Sequence, residues 1–162
     1  MIEVVSVSKQ FNGQEVLKDV TATFRNGEAS LIIGQSGAGK TVLLKCIVGL
    51  FTPEKGKVLY DGRDISSMGK KEIRLLRQEI GMLFQNSALF DSMSVLENVM
   101  FPLDMFSSMT YNERKRRARF CLDRVGLTEA QYKNPDELSG GMQKRAAIAR
   151  AIALGPKYLF CD

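Results

Sequence analysis

No histidine occurs anywhere in the 162 residues. That excludes a histidine general base, a Ser-His-Asp triad and a histidine metal site within this stretch. Cysteine is scarce. Cys46, Cys121 and Cys161 lie far apart, are odd in number and show no C-x-x-C spacing. They suggest neither a zinc site nor a disulfide framework, and all three are expected to be small buried apolar residues in a reducing compartment. No run of about 18 apolar residues is found, so no membrane span is expected. Met1-Ile2-Glu3-Val4-Val5 has no basic segment leading into an apolar one, so no secretory signal is expected either. The chain is therefore expected in the cytoplasm or on its membrane.

What is present is ordinary in amount. Apolar residues make up 44%, enough for a real core. Lys and Arg number 23 against 18 Asp and Glu, a net charge of +5. With both signs interspersed, that balance does not by itself argue for nucleic acid. The length points to one domain, or one domain with a small subdomain.

Ile2 to Val7 and Val16 to Phe24 are β-rich, with the turn signal Asn12-Gly13 between them. Asn26-Gly27 leads into Ala29-Ser30-Leu31-Ile32-Ile33, a short apolar run expected to be a buried strand. Thr41 to Leu50 reads as a helix with Leu43, Leu44, Ile47 and Leu50 on its apolar face. Val58-Leu59-Tyr60 and Ile80 to Phe84 read as strands, and Lys70 to Arg77 as a polar helix. From Ser94 to Leu154 the signals are nearly all helical. Thr110-Tyr111-Asn112-Glu113 has the form of a capping box, and Gly126 a C-cap. Tyr158-Leu159-Phe160-Cys161 is a last strand, followed by Asp162.

Gly34-Gln35-Ser36-Gly37-Ala38-Gly39-Lys40-Thr41 fits G-x-x-x-x-G-K-[ST]. Glycines let the backbone wrap closely around phosphates, with amide N–H groups turned inward. The helix that follows adds the positive end of its dipole. In that arrangement Lys40 neutralises β- and γ-phosphate charge and Thr41 ligates Mg²⁺. An apolar run before the loop and an amphipathic helix after it supply the required context.

Leu138-Ser139-Gly140-Gly141-Met142-Gln143-Lys144-Arg145 forms a second helix start suited to an anion. Ser139 can cap the helix or donate to a phosphate, and the two glycines allow close approach. With both motifs in place, the whole chain resembles the ATP-binding subunits of ABC transporters. The resemblance implies an α/β P-loop NTPase core, an N-terminal antiparallel β subdomain and an α-helical subdomain. It divides the chain into a β subdomain with the phosphate-loop core at 1–87, a helical subdomain at 88–155 and a Walker B strand at 156–162.

Two such domains in the family face each other head to tail with ATP between them. By that resemblance Ser139, Gly140 and Gly141 contact the γ-phosphate held by the loop Gly34–Thr41 of a second copy. Phe11 stacks on adenine. Gln85 reaches Mg²⁺ or the attacking water, and Asp162 holds Mg²⁺. Lys40, Gln85 and Asp162 are thus the expected catalytic set; Thr41, Gln85 and Asp162 are the expected metal set. The expected partners are a second ATPase copy and transmembrane permease subunits, with no nucleic acid. The expected location is peripheral, on the cytoplasmic side of the inner membrane.

A finer resemblance is to the ATPases of Mce/Mla-type lipid transport systems, carried by Phe84 to Val99 and by Met142. It implies a phospholipid or related cargo; an importer ATPase for another substrate is the alternative. The stretch after Gln85 is apolar for a loop, with Ala88, Leu89, Phe90, Met93, Val95, Met100 and Phe101. In the family it receives a helix of the membrane subunit, while a core role serves equally well. Arg114, Lys115, Arg116, Arg117 and Arg119 form the densest basic run, read more simply as a solvated helix face than as a contact for anionic headgroups.

The family pattern continues past the Walker B aspartate with a catalytic Glu, a D-loop and a switch histidine, and its sheet has a further strand beside the phosphate-loop strand. The chain is therefore expected to be part of a longer protein, and by itself to bind ATP weakly and not turn it over. The parent is expected to hydrolyse ATP through general-base activation of water by that Glu. Competing readings are a soluble ABC ATPase of DNA repair or translation, a non-catalytic nucleotide-binding regulator, and a P-loop small-molecule kinase, against which Leu138–Arg145 argues.

Overall fold

Asn12 and Gly13 both adopt left-handed backbone (φ 50° and 80°), the geometry of a tight hairpin turn. They join β1 (Ile2–Phe11) to β2 (Gln14–Phe24), paired antiparallel from Ile2↔Phe24 to Phe11↔Gln14. Asp61 and Gly62 repeat the device (φ 49° and 78°) between β3 (Lys55–Tyr60) and β4 (Arg63–Asp64). The sheet order is β2-β1-β3-β4. In this computed structural model, which describes residues 1–162, the chain divides into two compact units, Met1–Arg74 and Leu75–Asp162.

In the first unit, β1 buries Ile2 and Val4, then Val7, so the inward face changes parity between Val4 and Val7. The pairing register shifts at that point, and Ser6 has a positive φ of 50°. A bulge there explains why the alternation in the sequence is only partial. Gly56 lies against the bulge. A Cβ on it would stand 2.3 Å from the carbonyl oxygens of Val5 and Ser6, at a φ of +80°. Helix α1 (Lys40–Ile47) buries Leu43, Leu44, Cys46 and Ile47, and the buried Tyr60 hydroxyl donates to the Ile47 carbonyl at 2.9 Å, tying α1 to β3.

Two sequence expectations fail in this unit. Helix α1 stops at Ile47 because Gly49 takes a left-handed conformation (φ 72°) and the Leu50 amide turns back to the Lys45 carbonyl; Leu50 is exposed instead of on the apolar face. Ala29–Ile33 forms no strand, and Leu31 and Ile33 are 85% and 81% exposed. Neither sheet pairs with this run, and without a ladder an apolar run has no reason to become a strand.

Helix α2 (Lys70–Gln78) crosses the division at Arg74. In the second unit β5 (Ile80–Leu83) and β6 (Tyr158–Cys161) pair in parallel, Ile80↔Tyr158 through Leu83↔Cys161. β5 thus belongs to the same compact unit as the helices that follow. A two-stranded sheet covers little, and Cys161 is exposed, unlike the buried Cys46 and Cys121.

Three helices make the core: α3 (Val95–Phe106), α4 (Tyr111–Arg124) and α5 (Gly140–Ala151). Val95, Val99, Leu103, Ala118, Cys121, Leu122, Ala146 and Ala149 are fully buried there. The alanines of α5 let neighbouring backbones approach. Capping boxes start two helices, Ser94 with Glu97 and Thr110 with Glu113. Arginines close two helix ends. Arg117 of α4 donates to the Ala153 and Ile152 carbonyls after α5, and Arg145 of α5 donates to the Val125 and Gly126 carbonyls after α4. The basic run is thus largely engaged within the fold: Arg114 pairs with Asp104 at 2.6 Å, and Arg119 holds Gln131 and the Tyr132 hydroxyl.

Candidate functional site

Gly34 to Ala38 is exposed, and the buried Gly39 leads the loop into α1. Gly37 and Gly39 have φ of 81° and 86°, which only glycine adopts without strain. Gly39 is also pinned: a Cβ there would come within 3.0 Å of Leu17 Cδ2 and of the Val16 carbonyl oxygen on β2. The loop is therefore fastened to the sheet at its helix end. Lys40 Nζ donates to the Gly34 and Gln35 carbonyls, both at 2.8 Å, so its ammonium is held over the loop. The first-turn amides of α1 lack helical partners and the Lys40 charge lies close by, features suited to an anion.

The second anion-suited helix start lies in the other unit. Ser139 caps α5, its Oγ accepting from the Met142 amide at 3.3 Å. Leu138 is buried, and Gln143 donates to the Pro135 carbonyl at 2.8 Å, which fixes the approach to the helix. Gly140 and Gly141 differ from the other glycines of tight places. A Cβ on either would meet nothing within 4 Å, and neither has positive φ. Nothing inside the chain calls for two glycines at an exposed helix start, where each costs about 1 kcal/mol of helix propensity relative to Ala.

Gln85 and Asp162 leave neighbouring strands at the same end. Gln85 stands two residues beyond Leu83, exposed in a turn, and Asp162 follows Cys161, its amide donating to the Leu83 carbonyl at 3.0 Å. The carboxyl ends of parallel strands are the usual edge for ligands in α/β folds. Phe11, at the end of β1, is 39% exposed. Its ring meets Phe51 edge-on at 5.4 Å, and Lys9 Nζ stands 5.2 Å from its centre. Lys9 in turn holds Glu54 at 2.7 Å and keeps that carboxyl below its ordinary range.

The apolar stretch after Gln85 divides. Val95 and Met100 are buried in the helical core, Leu89, Met93 and Phe101 are half-buried, and Ala88 and Phe90 are exposed. Arg150 and Asn98, the two polar side chains that grip this stretch, are not marked out by the sequence. Neither carries a spacing signal: Arg150 sits in a plain helical run and Asn98 reads as one more helix residue.

No three His, Cys, Asp or Glu residues cluster as a self-sufficient metal site. The residues expected to meet Mg²⁺ are a hydroxyl, an amide oxygen and one carboxylate. That set of hard oxygens fits a cation that keeps waters and shares substrate phosphates, and does not fit a resident structural ion.

Comparison with known proteins gives a consistent answer. The family model described as ABC transporter matches residues 17–162. A methionine import ATP-binding protein, MetN of Clostridium acetobutylicum, is 44% identical over the whole chain, which covers 50% of that protein. A probable ribonucleotide transport ATP-binding protein, mkl of Mycobacterium bovis, is 42% identical over 99% of the chain and 45% of its own length. The chain thus spans about half the length of the curated relatives it matches. Among solved structures, the dimeric cassette MJ0796 superposes with a TM-score of 0.92 at 34% identity, over all of this chain and 73% of that one. The same cassette is known in a dimeric post-hydrolysis state bound to ADP and Pi, with a TM-score of 0.91. With the phosphate-loop geometry and the Ser139-capped helix both in place, this chain belongs to the ABC transporter family of ATP-binding domains.

Proposed function

We propose that the chain is the nucleotide-binding part of an ATPase subunit that drives an ABC importer. The observation that carries this reading is the pairing of two anion-suited helix starts on separate units, one of them with glycines that no internal contact requires. Gly140 and Gly141 face open space, so their smallness serves something outside this chain. A γ-phosphate held on the Gly34–Thr41 loop of a second, head-to-tail copy has the charge and size to fill that role. ATP then joins two copies, and its loss releases them.

In this reading Phe11 offers a ring to adenine, and Lys40 and the loop amides hold the phosphates. Thr41 and Asp162 hold the Mg²⁺, which supplies charge neutralisation at the phosphates when bound. Gln85 orients the attacking water. No histidine stands anywhere in these 162 residues. The phosphate loop is reached through an unpaired run. On both grounds these 162 residues by themselves are proposed to bind ATP weakly and not to turn it over.

The cargo is chosen by the permease, on the cytoplasmic face of which the subunit sits. The named relatives are a methionine import ATP-binding protein and a probable ribonucleotide transport ATP-binding protein, which puts transport of a small solute first. A lipid cargo rests on Phe84–Val99 and Met142 alone.

The test uses the intact protein. Lys40→Ala is expected to weaken Mg-ATP binding about tenfold or more, the worth of one charge-assisted phosphate contact. Gly141→Asp is expected to leave ATP binding by the monomer within about threefold, yet abolish ATP-dependent dimerisation by placing a carboxylate where the partner's phosphate arrives. Dimerisation that survives Gly141→Asp refutes the shared-nucleotide reading.

A further inference from the structure

Immediately after Gln85 the backbone enters an unusual path. Ser87 and Ala88 are consecutive non-glycine residues in the left-handed region, with φ of 48° and 50°. Each such residue is disfavoured by about 1 kcal/mol or more, so neighbouring groups must hold the pair in place. The local turn contributes two contacts, Ser87 N–H to the Phe84 carbonyl at 3.1 Å and Ala88 N–H to the Asn86 carbonyl.

The decisive contacts come from Arg150, on the last turn of α5. Its Nη1 donates to the Ala88 carbonyl at 2.7 Å and its Nη2 to the Ser87 carbonyl at 2.9 Å. The two ends of one planar guanidinium thus grip the two left-handed residues. The guanidinium also lies over the Phe90 ring at 5.8 Å. No carboxylate pairs with Arg150, and burial holds its pKa below the ordinary arginine value. A partly buried cation spent on two backbone carbonyls is a costly arrangement, retained where geometry matters.

From the other side, the fully buried Asn98 closes the segment. It accepts from the Phe90 amide at 2.8 Å and donates to the carbonyls of Phe90, Met93 and Ser94 at 3.0–3.1 Å. The loop is therefore clamped by α3 at its far end and by α5 at the end next to Gln85. Helix α5 is the one whose N-terminus carries Ser139, Gly140 and Gly141.

We infer that Arg150 is a positioning residue that sets the placement of Gln85, so that the helix whose start meets the partner's phosphate also fixes the glutamine on its own strand end. Contact at Ser139–Gly141 and the posture of Gln85 are joined through one rigid three-turn element. This rests on the proposed ATPase reading.

A double-mutant cycle in the intact protein tests it, reading kcat and KM for ATP from the dimer. Arg150→Met and Arg150→Lys are both expected to lower kcat about tenfold or more, since small misplacements of reacting groups cost that much, while KM stays within about twofold. Lysine keeps charge and stem but, as a single point donor, does not grip two carbonyls at once. Combining Arg150→Lys with Gln85→Ala is expected to give the loss of Gln85→Ala alone, within about twofold, because both changes remove the same placement. Losses that multiply, or an Arg150→Lys protein with unchanged kcat, overturn the inference. If Arg150→Met fails to fold, Arg150→Lys decides it. Failure of the underlying reading shows differently: Lys40→Ala then leaves turnover intact.

Discussion

Asn98 sits in the interior of α3 with no solvent exposure, an environment where an amide is tolerated only if all its hydrogen-bonding groups are satisfied. Its oxygen takes one amide and its nitrogen serves three carbonyls. Asn98→Asp keeps the volume and the acceptor but removes the donors and buries a charge among carbonyls. We expect it to destabilise the chain by about 3 kcal/mol, more than Asn98→Ala, with the urea midpoint as the measurement. Equal losses for the two variants would show that repulsion between a carboxylate and these carbonyls carries no weight. Sequence patterning does not reveal this residue, because its importance arises from a loop that returns over the helix. The phosphate-loop residues were legible for the opposite reason: their bonding partners are a few positions away, so the motif is local. Phe11 and Gln85 are proposed only through family resemblance, and Arg150, 62 residues from the carbonyl it holds, is marked by neither.

At the scale of elements, capping and turn chemistry gave away the most. Asn12-Gly13 and the Thr110–Glu113 box both act through neighbours within four residues. The Ser94–Glu97 box has the same form and the same effect. What was not legible was how far α1 runs, since apolar spacing continues to Leu50 while Gly49 ends the helix. The boxes also carry a pH dependence. Hydrogen bonds from Ser94 to Glu97, and from the Thr110 amide and hydroxyl to Glu113, hold both carboxyls below the ordinary value of 4.5. A depressed pKa in the folded state contributes stability above the unfolded value, and that contribution is lost as pH falls from about 4.5 through the folded values. In Glu97→Gln/Glu113→Gln the amide oxygen still accepts the same backbone donors but does not titrate. The double variant is therefore expected to lose less stability than the parent between about pH 5.5 and about pH 3.5. Urea midpoints at the two pH values give the comparison, and parallel loss in both proteins would remove the boxes from the account.

At the scale of the whole molecule, the run before the phosphate loop decides how the chain behaves in isolation. Its composition spoke for a buried strand, and that propensity is real, but a strand is a property of a sheet rather than of a segment. Both sheets of this chain form without it, one by antiparallel hairpins and one by β5 and β6 alone. Leu31 and Ile33 consequently stand in water on the approach to Gly34, and Leu159 on β6 is likewise exposed. Unpaired apolar segments of this kind are places where another chain adds on. The 162-residue chain is expected to self-associate as its concentration rises. Leu31→Thr/Ile33→Thr is expected to weaken that association about tenfold or more, since burying one such side chain is worth about 1.5–3 kcal/mol. The same double change is expected to move the folding stability by less than about 0.5 kcal/mol, because neither residue packs inside the fold. Sedimentation equilibrium across a concentration series, beside urea unfolding, separates the two quantities. Loss of folding stability with unchanged association would mean that the run is held within the chain. The opposite result leaves the phosphate loop entered from an unanchored side, so that its order depends on α1 and on Gly39 against β2 rather than on a strand before it.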